Sequence, residues 1–132
     1  MKIKKNITYL FYCNVSSLDW KEAYNYLPTF RQQKIDSYKI ENDKILSAGA
    51  WIVLHKAFSL SGLKIEKYEF KTTANGKPYF EDCPIEISYS HSGDYVLVAL
   101  SGGPVGVDIE KIRDVDFKIM PLIYDESQIY EV

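Results

Sequence analysis

ENDKILSAGAWIVLHKAFSLSG, residues 41–62, is the longest stretch of helical period in the chain. Ile45, Ala48, Ile52 and Phe58 recur as a buried face does, while Leu46, Trp51, Val53 and Leu54 make the middle apolar nearly all round. A helix of that kind has to be enclosed by other elements. Gly49 costs about 1 kcal/mol relative to alanine inside a helix unless a partner packs closely there. Ser61-Gly62 predicts the stop, because glycine tolerates the positive φ on which helices often end.

Upstream, residues 7–15 are aromatic and β-branched and close on polar residues, the pattern of a strand. Ser16 or Ser17 is the expected cap of a short helix over residues 18–26, ended near Pro28; Thr29 is the expected cap of a second over residues 30–38. Downstream the period changes from helical to alternating. Residues 68–71 read as a short strand, Asn75-Gly76-Lys77-Pro78 as a turn, and Tyr79-Phe80 as extended again. Residues 85–90 predict a strand ending in a Ser90-His91-Ser92-Gly93 turn. Residues 94–100 form the next strand, and Ser101-Gly102-Gly103-Pro104 turns into Val105-Gly106-Val107-Asp108-Ile109-Glu110. Short turns between these three strands predict an antiparallel meander. Residues 115–132 read as helical around Ile119, Leu122 and Ile123, with Pro121 as a blemish. Helices first and sheet second make an α+β fold: one domain over residues 1–132, helices packed on a small antiparallel sheet.

Composition narrows the function classes. The 132 residues are 46% hydrophobic and 26% charged, ordinary for a globular protein. A net charge of −2 gives no bulk attraction for nucleic acid. Basic residues are unevenly spread, with Arg31, Lys34, Lys39 and Lys44 together in the second quarter. That cluster is either a patch facing an anionic ligand or a solvated helix face. Cys13 and Cys83 stand alone, without metal-ligand spacing, which argues against a zinc site or disulfide framework and suits a reducing cytoplasm. No apolar run reaches the roughly 18 residues that span a bilayer, so no membrane is expected. Lys2, Lys4 and Lys5 resemble the basic start of a signal peptide, but residues 7–13 are too short and too polar to follow it.

Asp108 and Glu110 lie two residues apart, so a strand places them on one face. Two carboxylates so placed suit a divalent cation; a polar outer face of a half-buried strand is the alternative. His91 and Lys77 in the preceding turns add a hydrogen-bond donor and a point charge, which together with a metal would suit a pyrophosphate.

In this order the motifs NGKPYF, ISYSHSGDYVLVALS and VGVDIEKIR resemble the 4′-phosphopantetheinyl transferase superfamily, in particular the amino-terminal half of its surfactin-synthetase-activating type. KIDSYKIENDKILSAGAW, with Asp43 six positions before Gly49, is similar to the family's helical stretch. The resemblance covers roughly residues 5–131. It implies Mg²⁺-dependent transfer of the phosphopantetheine arm of coenzyme A to a serine of an acyl or peptidyl carrier protein, releasing 3′,5′-ADP. Asp108 and Glu110 would match the metal ligands, and His91 a residue on the coenzyme A phosphate. Gly76, Lys77 and Pro78 would form the nucleotide-contacting turn, with Ser90 shaping the neighbouring one.

Two departures matter. Leu46 stands where relatives often carry an arginine near the 3′-phosphate, leaving Lys44 as the residue that could compensate. The family also uses a later W-x-x-K-E-A helix, whose glutamate completes the metal site, and these 132 residues contain no such sequence. The expectation is therefore an incomplete half with little activity alone, completed by a second half-domain or by self-association. The alternative is a non-catalytic module of the same fold that recognises a carrier protein or nucleotide.

Overall fold

The computed structural model describes residues 7–102, 107–112, 116–121 and 126–131, with side-chain detail for residues 8–102. β1 (Ile7–Asn14) opens the chain, followed by helices α1 (Trp20–Tyr24), α2 (Thr29–Asp36) and α3 (Glu41–Leu60). A 3₁₀ turn (Ile65–Lys67) leads into β2 (Phe70–Thr72), β3 (Pro78–Phe80), β4 (Glu86–Ser92) and β5 (Tyr95–Ser101). β6 (Val107–Ile112), β7 (Asp116–Pro121) and β8 (Glu126–Glu131) complete the described elements. The α+β expectation holds.

The bounds of α3 are those expected from the sequence. Gly49 sits where a Cβ would lie 2.8 Å from Cγ1 of Val15, so the close partner that glycine requires is the residue just past β1. Gly62, at φ 76°, ends the helix in the left-handed region. Ala48, Leu54 and Phe58 are fully buried, but Ile52 of the expected face is 37% exposed and Trp51 takes its place inward. The caps fall elsewhere than expected. Asp19, not Ser16 or Ser17, accepts from the amides of Lys21 and Glu22 at 3.1 and 3.3 Å, and Pro28 occupies the cap position of α2 without a side-chain bond.

The main sheet runs β4-β5-β1-β8. The predicted meander is corrected here: β5 pairs antiparallel with β4 and β1, whereas β6 pairs with β7 in a separate two-stranded sheet. The cause lies in the side chains of β5. Val96 through Leu100 are all 0% exposed, so both faces of the strand are covered, and an apolar strand of that kind belongs in the centre of a sheet. Tyr9 and Phe11 of β1 lie opposite Leu100 and Val98 and pack with them into the α3 core.

The helix expected over residues 115–132 is also corrected. β7 and β8 occupy two parts of it, and β8 adds parallel to β1, with Ile129 opposite Leu10. A buried strand such as β1 needs its second edge paired, and that demand overrides the weak helical period around Pro121. Leu122 and Ile123 lie outside the described residues. Cys13 and Cys83 are half-buried and joined in no disulfide, and among the described residues no helix is long and apolar enough to cross a membrane.

Candidate functional site

Two of the three motif stretches form around β2, β3 and β4. Thr73 shapes the first: its carbonyl accepts from the Gly76 amide at 2.9 Å, and its backbone N–H donates to the Lys77 carbonyl at 2.8 Å. Its hydroxyl accepts from the Lys77 amide at 3.1 Å. Gly76 has φ 85° and nothing within 4 Å of where a Cβ would be, so the turn is both tight and open to an approaching molecule. Pro78 opens β3 opposite Thr72, and the Lys77 side chain is exposed.

The Ser90-His91-Ser92 stretch is not the turn predicted for it. β4 continues through Ser92, paired opposite Tyr95, and the reversal uses Gly93, at φ 57°, with Asp94. Strand geometry therefore places Ser90 and His91 on opposite faces of β4. His91 shares the face of Ile87 and Tyr89, beyond the edge of the core, and is exposed. β3 approaches β4, and so does β6, the strand that carries Asp108 and Glu110. These two acids sit at register positions opposite Met120 and Lys118; their side chains lie outside the described ones. Among the described residues no group of three metal-binding side chains assembles.

Lys44 bridges two helices. Its Nζ donates to the Ile35 carbonyl at 3.0 Å and lies 5.2 Å from the Trp20 ring centre, so it ties α3 to the last turn of α2. Leu46 is in the core.

Sequence reasoning missed Arg31 as a single residue, noting it only within the basic cluster. It is 2% exposed, the largest fully buried side chain described. Its NH1 donates to Ser47 Oγ and its NH2 to the Tyr89 hydroxyl, each at 3.4 Å, while Nε has no partner among the described residues. The guanidinium lies 5.3, 5.6 and 5.8 Å from the ring centres of Trp51, Phe70 and Tyr89. No described carboxylate comes within ion-pair reach. The available signal was positional: Arg31 stands one helical turn before Ile35, the other buried residue of α2.

Arg31, Lys34, Phe70, Lys71, Gly76 and Tyr89 line a cavity of about 290 Å³ that reaches the Asn75–Pro78 turn. Lys71 pairs with Glu81 at 2.7 Å, and that hydrogen bond holds its ammonium above the usual lysine range. A second cavity, about 450 Å³ and more apolar, lies on the other side of Phe30 among Tyr26, Trp51, His55 and Tyr68.

The family described as 4′-phosphopantetheinyl transferase, N-terminal, matches residues 14–102. The chain belongs to this superfamily and corresponds to its amino-terminal half. It is 32% identical over 85 residues to the 4′-phosphopantetheinyl transferase psf-1 of Bacillus pumilus, covering 64% of this chain and 36% of that protein. It is 40% identical over 63 residues to gsp of Aneurinibacillus migulanus, covering 48% and 26% of the two chains. Against Sfp of Bacillus subtilis it is 33% identical over 60 residues, 45% and 27% of the two. The matched part thus spans about a third or less of these curated relatives. The family match contains Arg31, Lys44, the Gly76-Lys77-Pro78 turn, Ser90 and His91, and stops before Asp108 and Glu110.

Proposed function

We propose that this chain supplies the amino-terminal part of a phosphopantetheinyl transfer site, with coenzyme A as donor and a carrier-protein serine as acceptor. The observation that carries the reading is the approach of β3 and β6 to β4, which draws together the strands bearing the lysine turn, the histidine and the paired acids. In the reaction, the serine oxygen forms a bond to the phosphorus of the pantetheine arm. The phosphorus–oxygen bond to 3′,5′-ADP breaks, and the serine proton passes to base. Lys77 and His91, both exposed, would hold phosphate oxygens and offset the charge that develops on them. Asp108 and Glu110, two apart on β6, are the oxygen donor set that a hard cation such as Mg²⁺ takes. A bound magnesium would neutralise diphosphate charge.

The W-x-x-K-E-A sequence is absent from these 132 residues, so we propose that transfer requires a second half-domain. The test mixes purified chain, Mg²⁺, coenzyme A and an apo-carrier protein, with and without a separately produced carboxy-terminal half of a relative. The carrier's mass reports modification. Transfer only in the complemented mixture, lost with Asp108→Ala, is expected. Efficient modification by the chain alone would overturn the requirement for a second half, and no modification in either mixture would overturn the transfer reading.

A further inference from the structure

We propose that the cavity of about 450 Å³ between the α1–α2 loop, α3 and the 3₁₀ turn binds a small organic cation, an ammonium ion carrying an apolar body. Its size and lining are those of small-molecule sites, in which apolar and aromatic walls enclose a few polar groups. Tyr26, Phe30, Trp51 and Tyr68 supply four aromatic rings, and Leu27 and Ile65, both buried, add apolar wall. Tyr26 is 85% exposed and Phe30 41%, so the lining keeps ring surface that the core does not use. Among the described lining residues there is no lysine or arginine, and the one carboxylate is Glu66. An aromatic face carries partial negative charge, so rings and carboxylate together favour a cation and repel an anion. The cavity beside Arg31, on the other side of Phe30, has the opposite sign.

Glu66 is held in its charged form. Its carboxylate accepts from its own backbone amide and from His55 Nε2 at 2.9 Å, which hold its pKa below the ordinary carboxylate value. His55 stands on α3 and Glu66 on the 3₁₀ turn, so the contact joins two walls of the cavity and orients the acid. Lys64 also acts on this carboxylate through space, but it lies outside the lining. Tyr68 sets its ring 6.3 Å from that of Phe58 in the core, which anchors the wall beside the acid. The apolar body of the ligand has its own place. An adjoining cavity of about 330 Å³ shares Tyr26, Leu27, Trp51 and His55 with the first and extends over Ala23 and Ile52. The ammonium therefore belongs at the Glu66–Tyr68 end and the apolar body along Tyr26 and Ile52. The inference stands apart from the transfer reading and uses none of Lys77, His91, Asp108 and Glu110.

Titration of the whole chain with benzyltrimethylammonium, benzyl alcohol and benzoate at matched ionic strength, followed by amide NMR shifts, tests it. Saturable binding is expected, tightest for the ammonium and weakest for benzoate, with shifts centred on Tyr26, His55, Glu66 and Tyr68. Tyr26→Ala and Glu66→Gln should each weaken ammonium binding by about fivefold, the first from a lost ring contact and the second from a lost charge. Glu66→Gln should leave benzyl alcohol binding unchanged, because that probe carries no charge. Both side chains are largely exposed, so each variant should keep its Tm within a few degrees of the wild type. Absence of saturable ammonium binding would overturn the site, and so would benzyl alcohol or benzoate binding as tightly as the ammonium. Shifts confined to Phe70, Gly76 and Tyr89 would put the ligand in the other cavity and overturn it too. Unchanged ammonium affinity in both variants would have the same consequence.

Discussion

The α3 core and the Arg31 cage are packed by neighbouring parts of the same helices, yet they solve burial differently. In the first, Val53, Leu54, Ala57 and Phe58 close on Phe11, Val96 and Val98 with side chains that ask nothing of their surroundings but contact. In the second, Trp51, Phe70 and Tyr89 surround a cation whose described partners are two hydroxyls at the edge of bonding distance. The core is satisfied within itself. Among the described residues the cage is not, and it opens on a cavity that reaches the Asn75–Pro78 turn. Among the described residues, a self-satisfied core and a buried cation with few partners sit side by side, the first holding the second in place.

Substitutions can break that contrast or sharpen it. Phe58 is fully buried and lies 5.0 Å from Phe80 and 6.3 Å from Tyr68 between ring centres. Phe58→Ala should cost about 3–5 kcal/mol in urea unfolding, from lost transfer energy and the cavity left behind. A cost under about 1 kcal/mol would show that the core collapses around the gap and is less closely packed than described. In the cage, Tyr89→Phe removes one acceptor from Arg31 and leaves the ring, so about 1 kcal/mol is expected. A loss as large as that of Phe58→Ala would make the cage a structural core element and erase the distinction.

The smallest effect belongs to the surface. The Glu66 carboxylate accepts from its own backbone amide and from His55 at 2.9 Å, which hold its pKa below the ordinary carboxylate value. A depressed folded-state pKa contributes stability above the unfolded value, and that stability is lost as pH falls through the folded one. Both side chains are largely exposed, so the contribution is small. His55→Ala should move the Glu66 midpoint upward in an NMR titration while the backbone bond keeps it below the ordinary value. An unmoved midpoint would mean that the His55 contact does not persist in solution.

Much of this was legible beforehand because it was local. Both ends of α3, the close approach at Gly49, the strand at the amino terminus and the Asn75–Pro78 turn each follow from residues adjacent in the chain. Where a choice depended on distant partners, reading failed. Ser90-His91-Ser92 looks like a turn by composition, but pairing with β5 extends the strand to the glycine beyond it. Residues 115–132 carry a faint helical period, and the open edge of β1 draws part of them into a strand. Lys44 and Arg31 belonged to one basic cluster, indistinguishable by charge. One caps a helix and the other is enclosed by aromatic rings drawn from three separate elements.

The sequence by itself determined the α+β class, the enclosed helix and the family motifs, because periodicity, turn residues and short motifs are properties of neighbours along the chain. Only the tertiary structure decided which strand is central, which faces Ser90 and His91 take, and which arginine is buried with no described acid beside it. Those outcomes depend on burial and strand pairing that the fold brings about, and no pattern of neighbouring residue types carries them.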